Sequence, residues 1–139
     1  MTAVIKRLRS LLALCLYVVF LPGCETGSPV SAAEAVAAQY YQTLKNRDFE
    51  AAADFFIAGQ QSRGQWLQQL KEYNGKLGDL KETKLTNTLV NTVFSGRRYI
   101  LTYSVKYANF PATETLIMFE PVSGESIRIE AINVMSRGL

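Results

Sequence analysis

From Arg98 to Ala108 the chain alternates with a period of two: Tyr99, Leu101, Tyr103, Val105 and Tyr107 fall on one face, while Arg98, Thr102, Ser104 and Lys106 fall mostly on the other. A helix would scatter these five large residues around its axis, so the segment is a strand with one buried face. Such a face needs a second layer to cover it. The neighbouring segments supply more sheet. Asp79 to Phe94 is rich in Thr, Val and Leu and ends at the turn signal Ser95-Gly96. After Asn109-Phe110-Pro111, a strand is predicted over Thr113 to Glu120, a turn over Pro121 to Gly124, and a last strand over Glu125 to Met135. Connections this short join antiparallel neighbours.

The covering layer comes from the first half, where the period is helical. Ser31 followed by Glu34 has the pattern of a capping box, and Ala33, Val36, Ala37, Tyr40 and Leu44 then form one apolar stripe. Asn46-Arg47 breaks it. Asp48 is placed to cap a second short helix running to about Ala58, with Phe49, Ala52, Ala53 and Phe56 on its buried face and Gly59 as its end. Ser62 with Gln65 marks a third helix carrying Trp66, Leu70, Tyr73 and Leu77, which stops near Gly75 to Gly78. Helices followed by an antiparallel meander define an α+β domain rather than a parallel α/β one.

The N-terminus is of another kind. Lys6, Arg7 and Arg9 precede the apolar run Leu11 to Leu21, a basic start and a short greasy core that together make a secretory signal. The run is shorter than the roughly 20 apolar residues of a membrane span. Leu21-Pro22-Gly23-Cys24 resembles the bacterial lipoprotein signal, in which the cysteine is lipidated and becomes the new N-terminus. A plain thiol behind an ordinary cleavage site and a retained helix are the alternatives. The expected organisation is a cleaved signal over 1–23, a lipidated tether over 24–30 and one α+β domain over 31–139. Glu25, rather than aspartate, after Cys24 favours an outer membrane facing the periplasm in a Gram-negative organism.

Cleavage there removes much of the apparent chemistry. The chain has 15 Lys plus Arg against 12 Asp plus Glu; without Lys6, Arg7 and Arg9 the balance is 12 against 12. A neutral domain whose basic pair, Arg97-Arg98, reads as a solvated hairpin tip has no footprint for nucleic acid. Cys15 leaves with the signal and Cys24 is consumed by lipid, so no disulfide is expected. The sequence contains 0 histidines. Ordinary Ser-His-Asp and Cys-His catalysis and His/Cys zinc sites are thereby excluded. No cofactor or metal is implied.

A helix with Tyr40-Tyr41 and Leu44, the turn Lys45 to Asp48, a helix with Ala51-Ala52-Ala53 and Phe55-Phe56, and then Trp66, Leu67, Leu70 and Leu77-Gly78 precede the strands. In that order, with Gly96, Tyr99, Glu114 and the Gly124 turn following, they resemble the nuclear transport factor 2-like superfamily, a cystatin-like α+β group. The likeness is narrower to its small bacterial secreted members, including domains of unknown function. The resemblance implies helices packed on a curved antiparallel sheet, a cone-shaped α+β roll with a conical cavity, and pairing through the sheet's outer face. It also implies an enzymatic alternative, since some members are isomerases or dehydratases.

For that alternative the carboxylates to consider are Asp54, Asp79, Glu114 and Glu120, with Tyr99 and Tyr103 as hydroxyl donors. Tyr40, Phe56, Trp66, Tyr99, Tyr103 and Tyr107 are candidates to line an apolar pocket, although aromatic residues in so small a domain serve the core first. The sequence is therefore expected to encode a membrane-tethered, non-enzymatic binding or accessory domain, engaging a protein partner, a second copy or a small apolar ligand. An isomerase- or dehydratase-type enzyme and a structural envelope factor are the alternatives. A carboxylate in an open cavity would favour the enzyme, and an exposed apolar patch on the sheet would favour a protein partner.

Overall fold

The computed structural model describes residues 28–59 and 61–139. The expected signal peptide and Cys24 lie outside them. Three helices, α1 (Pro29–Lys45), α2 (Phe49–Ala53) and α3 (Arg63–Leu77), precede four strands, β1 (Leu80–Val93), β2 (Gly96–Tyr107), β3 (Pro111–Pro121) and β4 (Arg128–Ser136). The strands form one antiparallel sheet in the order β1-β2-β3-β4. The domain is α+β, with the helices packed on one face of a curved sheet.

The alternation in β2 sets the inner face. Tyr99, Leu101, Tyr103, Val105 and Tyr107 are all buried. Across the β2–β3 ladder the first four of them pair with Met118, Leu116, Glu114 and Ala112, which are buried too. Ala33, Ala37, Tyr40, Tyr41 and Leu44 of α1 and Trp66, Leu70 and Leu77 of α3 close over that face. Phe56 stacks on Trp66 with ring centroids 4.1 Å apart, and Tyr40 sets its ring edge to Phe56 at 5.8 Å.

Two helix boundaries differ from expectation. α1 begins two residues before Ser31, so residues 29 and 30, allotted to the tether, are helical. Its N-cap is Ser28, whose hydroxyl accepts from the Ser31 N–H at 3.3 Å, and Pro29 takes the first turn, where its missing N–H costs nothing. α2 stops at Ala53 rather than near Ala58, because Phe55 to Ile57 turn extended. The Ile57 N–H donates to the Ile129 carbonyl and the Ile129 N–H to the Phe55 carbonyl, both at 2.8 Å. This bridge lies along the free side of β4. Asp48 caps α2, and Ser62 with Gln65 forms the reciprocal capping box of α3, as the sequence predicts. α3 ends on Gly78, whose φ of 85° is costly for any side chain.

The Ser95-Gly96 turn depends on its glycine for a different reason. A Cβ on Gly96 would lie 2.1 Å from the Glu120 carbonyl oxygen on the neighbouring strand. Gly96→Ala is accordingly expected to destabilise the domain by about 1–3 kcal/mol. Urea unfolding should show a lower midpoint with an unchanged slope, and an unchanged midpoint would contradict the close approach.

Arg97 and Arg98 lie just past the hairpin turn, Arg97 exposed and Arg98 partly so, and each is paired with a carboxylate. Both lie within β2, where Arg97 faces Glu120 at 3.6 Å and Arg98 is bound in a fork by Glu130 at 2.8 and 3.2 Å.

Candidate functional site

One carboxylate is buried among the inward-facing positions of β3. Ala112, Leu116 and Met118 are the apolar members of that row, and Glu114 stands between them with 1% of its surface exposed. The Tyr107 hydroxyl donates to Glu114 Oε1 at 2.5 Å and the Tyr41 hydroxyl to Oε2 at 3.1 Å. β2 brings Tyr107 because it lies on the same face as Tyr103, the direct partner of Glu114. α1 brings Tyr41 from 73 residues away.

Burial raises the Glu114 pKa, and the two donated hydrogen bonds oppose but do not reverse that shift. The same burial and the nearby carboxylate push both phenols upward, so neither loses its proton at physiological pH. The cluster can hold a proton on Glu114. It offers little room for anything else: the adjoining space, walled partly by Tyr40, Tyr73, Leu80 and Ile132, measures about 10 Å³, roughly one water molecule. The Tyr40 hydroxyl in that wall is buried without a hydrogen-bond partner among the described residues.

The remaining sequence candidates disperse. Asp54 is exposed at the end of α2, where hydrogen bonding to Arg63 lowers its pKa. Asp79 is ion-paired with Arg47 at 3.6 Å at the start of β1. Glu120 accepts the Tyr99 hydroxyl at 2.5 Å near the hairpin turn. Tyr103 is packed edge-on to Tyr41, and burial, followed by Glu34, pushes its pKa up to about 12. The hydroxyls serving Glu114 are therefore those of Tyr41 and Tyr107 rather than Tyr99 and Tyr103. Tyr40, Phe56, Trp66, Tyr99 and Tyr103 are all core residues. No set of three potential metal ligands gathers among the described residues, and no described helix is long and apolar enough to cross a membrane.

The other face of the sheet is different. Register places Leu89, Ile100 and Ile117 side by side on β1, β2 and β3, with Ala131 beside Ile117 on β4. Leu89 is exposed and the other three are partly exposed. This apolar row occupies positions where a solvated face ordinarily carries polar groups. Beside it run Asn87, Thr102, Thr115 and Asn133, uncharged and able to hydrogen-bond. At the opposite flank an open groove of about 550 Å³ lies against Ile57, Trp66, Ile117 and Phe119, edged by the Arg98–Glu130 pair. Sequence reading missed this row, although its signal was present: Ile100 and Ile117 interrupt the polar half of each alternation.

Among the described residues these features define an α+β domain with little free space beside Glu114 and an apolar stripe on the sheet face that the helices leave open. No known family profile and no curated protein matches the chain. Twelve chains of solved structures match in fold. One, a protein of Catenulispora acidiphila known at 2.5 Å, is 13% identical with a TM-score of 0.56, over 77% of this chain and 90% of that one. At that identity the likeness concerns the fold alone.

Proposed function

We propose that the protein is a lipoprotein of the bacterial cell envelope, anchored through lipid on Cys24, whose domain is a non-enzymatic binding module that pairs with a second copy through its outer sheet face. The observation carrying the binding role is the Leu89–Ile100–Ile117–Ala131 row on a face that no helix covers among the described residues. The one-water space beside Glu114 supports this role over an enzyme or an interior ligand. The resemblance to the nuclear transport factor 2-like superfamily, whose members often pair through this face, belongs to the same reading.

A second copy suits the chemistry of the face. Its centre is apolar, its neighbouring row is neutral, and its flank carries both signs in Arg98 and Glu130, so a two-fold-related copy can set opposite charges against each other there. Four strands presenting about 30 Å of length cover roughly 600 Å² a side, near the lower end for a specific interface. Pairing is therefore weak in solution and aided when both copies share a membrane.

The test is sedimentation of the detergent-purified protein across a concentration series. A reversible dimer is expected, and Ile117→Lys should weaken it at least about tenfold by burying a charge at its centre. A monomer at every concentration would overturn pairing, and an unaltered dimer in the variant would move it to another surface. Anchoring is tested separately: Cys24→Ser should shift the protein from the membrane to the soluble fraction.

A further inference from the structure

We propose that the two turns at one end of the sheet form a lipid-contacting tip, seating Phe94, Val93 and Val122 in the membrane interface. This rests on the reading of Cys24 as the lipidated residue.

The first observation is the tip itself. Phe94 is fully exposed, Val122 is 74% exposed and Val93 is 39% exposed. They belong to different hairpins, yet the Val122 N–H donates to the Ser95 carbonyl at 3.0 Å, which holds the β1–β2 and β3–β4 turns side by side. A fully exposed phenylalanine at a turn contributes nothing to the core. It does match the depth at which aromatic side chains enter a bilayer interface.

The second observation is where the anchor must lie. α1 runs antiparallel to β1: Arg47, just past its end, pairs with Asp79 ahead of β1, and further back Tyr41 packs on Tyr103, whose strand partner is Leu85. The start of α1 therefore points toward the hairpin turns. From Tyr41 back to Ser28 is about 20 Å of helix, whereas Leu85 to Phe94 is about 30 Å of strand. Laid along one another, these put the tip about 10 Å beyond Ser28. Cys24 is four residues before Ser28, a reach of at most about 14 Å. With so short a tether, the tip meets the surface before the chain between Cys24 and Ser28 is drawn taut.

Charge plays a small part. Arg97 is matched by Glu120 and Arg98 by Glu130, so the tip is apolar and close to neutral. Contact is consequently expected to be as good with zwitterionic as with anionic lipid.

The experiment uses the full chain, purified from membranes and reconstituted into phosphatidylcholine vesicles, with and without phosphatidylglycerol, some carrying brominated acyl chains. Phe94→Trp is compared with Phe110→Trp at the opposite end of the sheet, and buried Trp66 gives the same background in both. Expected is a blue shift and loss of emission for F94W in brominated vesicles of either composition, with no such change for F110W. Vesicle-bound protein in which F94W is quenched no more than F110W would overturn the tip while leaving the anchor, and would assign the patch to a protein contact. Protein that does not stay with the vesicles would overturn the anchor and, with it, this inference. Quenching confined to anionic vesicles would overturn the apolar mechanism.

Discussion

Glu114→Ala is expected to destabilise the domain by about 3–5 kcal/mol. The carboxylate is buried and occupied by two tyrosine hydroxyls, so truncation orphans both Tyr107 and Tyr41 and opens a void beside a Tyr40 hydroxyl that already lacks a partner. Each orphaned buried hydroxyl costs about 1–3 kcal/mol, and the void adds to that. Chemical denaturation measures the loss. An Ala variant as stable as the parent would mean that the cluster is not tightly packed.

Glu114→Gln separates shape from charge. Burial holds the native Glu114 pKa above its unfolded value, near 4.5. Between those two values the native state binds more protons at Glu114 than the unfolded state does, so this group's contribution to stability is fully present below about 4.5 and is lost as pH rises through the native pKa. One such group can contribute a slope of up to about 1.4 kcal/mol per pH unit. Glutamine fills the same space without titrating. The difference in stability between E114Q and the parent should therefore shift in favour of the variant as pH is raised from 4.5. A difference that is constant across pH would show that Glu114 titrates alike in both states.

The second large effect is at Trp66. Its indole stacks on Phe56 at 4.1 Å with the ring planes 22° apart, and Phe56 in turn packs under Tyr40 beside the bridge to β4. Trp66→Ala removes the central plate of this stack, for an expected loss of about 3–5 kcal/mol. Trp66→Phe keeps a ring in place and discards an indole N–H that is buried without a partner among the described residues. Its expected cost is below about 1.5 kcal/mol, since the lost area is partly offset by removing an unpaired donor. Equal losses in the two variants would argue that the stack is not what holds α3 to the Phe56 turn.

The parts of this fold visible in the sequence are those decided locally. Five side chains alternating through β2 specify the strand and its buried face whatever lies above them, and Ser62 with Gln65 or Asp48 alone satisfies helix-start N–H groups from within a single turn. Ser28-Pro29 was equally local, but it competed with the Ser31–Glu34 pair, and proline's fit to the first helical turn prevailed. The end of α2 was not local. Nothing between Ala53 and Ala58 forbids a helix; the chain leaves it because Phe55 and Ile57 exchange backbone bonds with Ile129 more than 70 residues later.

The site divides in the same way. Glu114 stands out as the charged member of the row Ala112, Leu116 and Met118, and Tyr107 follows once β2 and β3 are in register. Tyr41 could not be foreseen as its partner, because that depends on how α1 lies across the sheet. The outer apolar row was within reach of the sequence but not its continuity, which depends on registers that include bulges in β1 and between Ile117 and Met118.

The bridge at Ile129 also makes the two margins of the sheet unequal. Phe55 to Ile57 occupy backbone groups along β4, so a further strand cannot readily be added there. β1 has no such cover among the described residues. Lys81 and Lys84 guard its first half, whereas Leu89 to Val93 runs to the turn without a charge. Sheet growth, whether by an incoming peptide strand or by a misfolded chain, is therefore directed to one margin and to the half of it that lacks lysine.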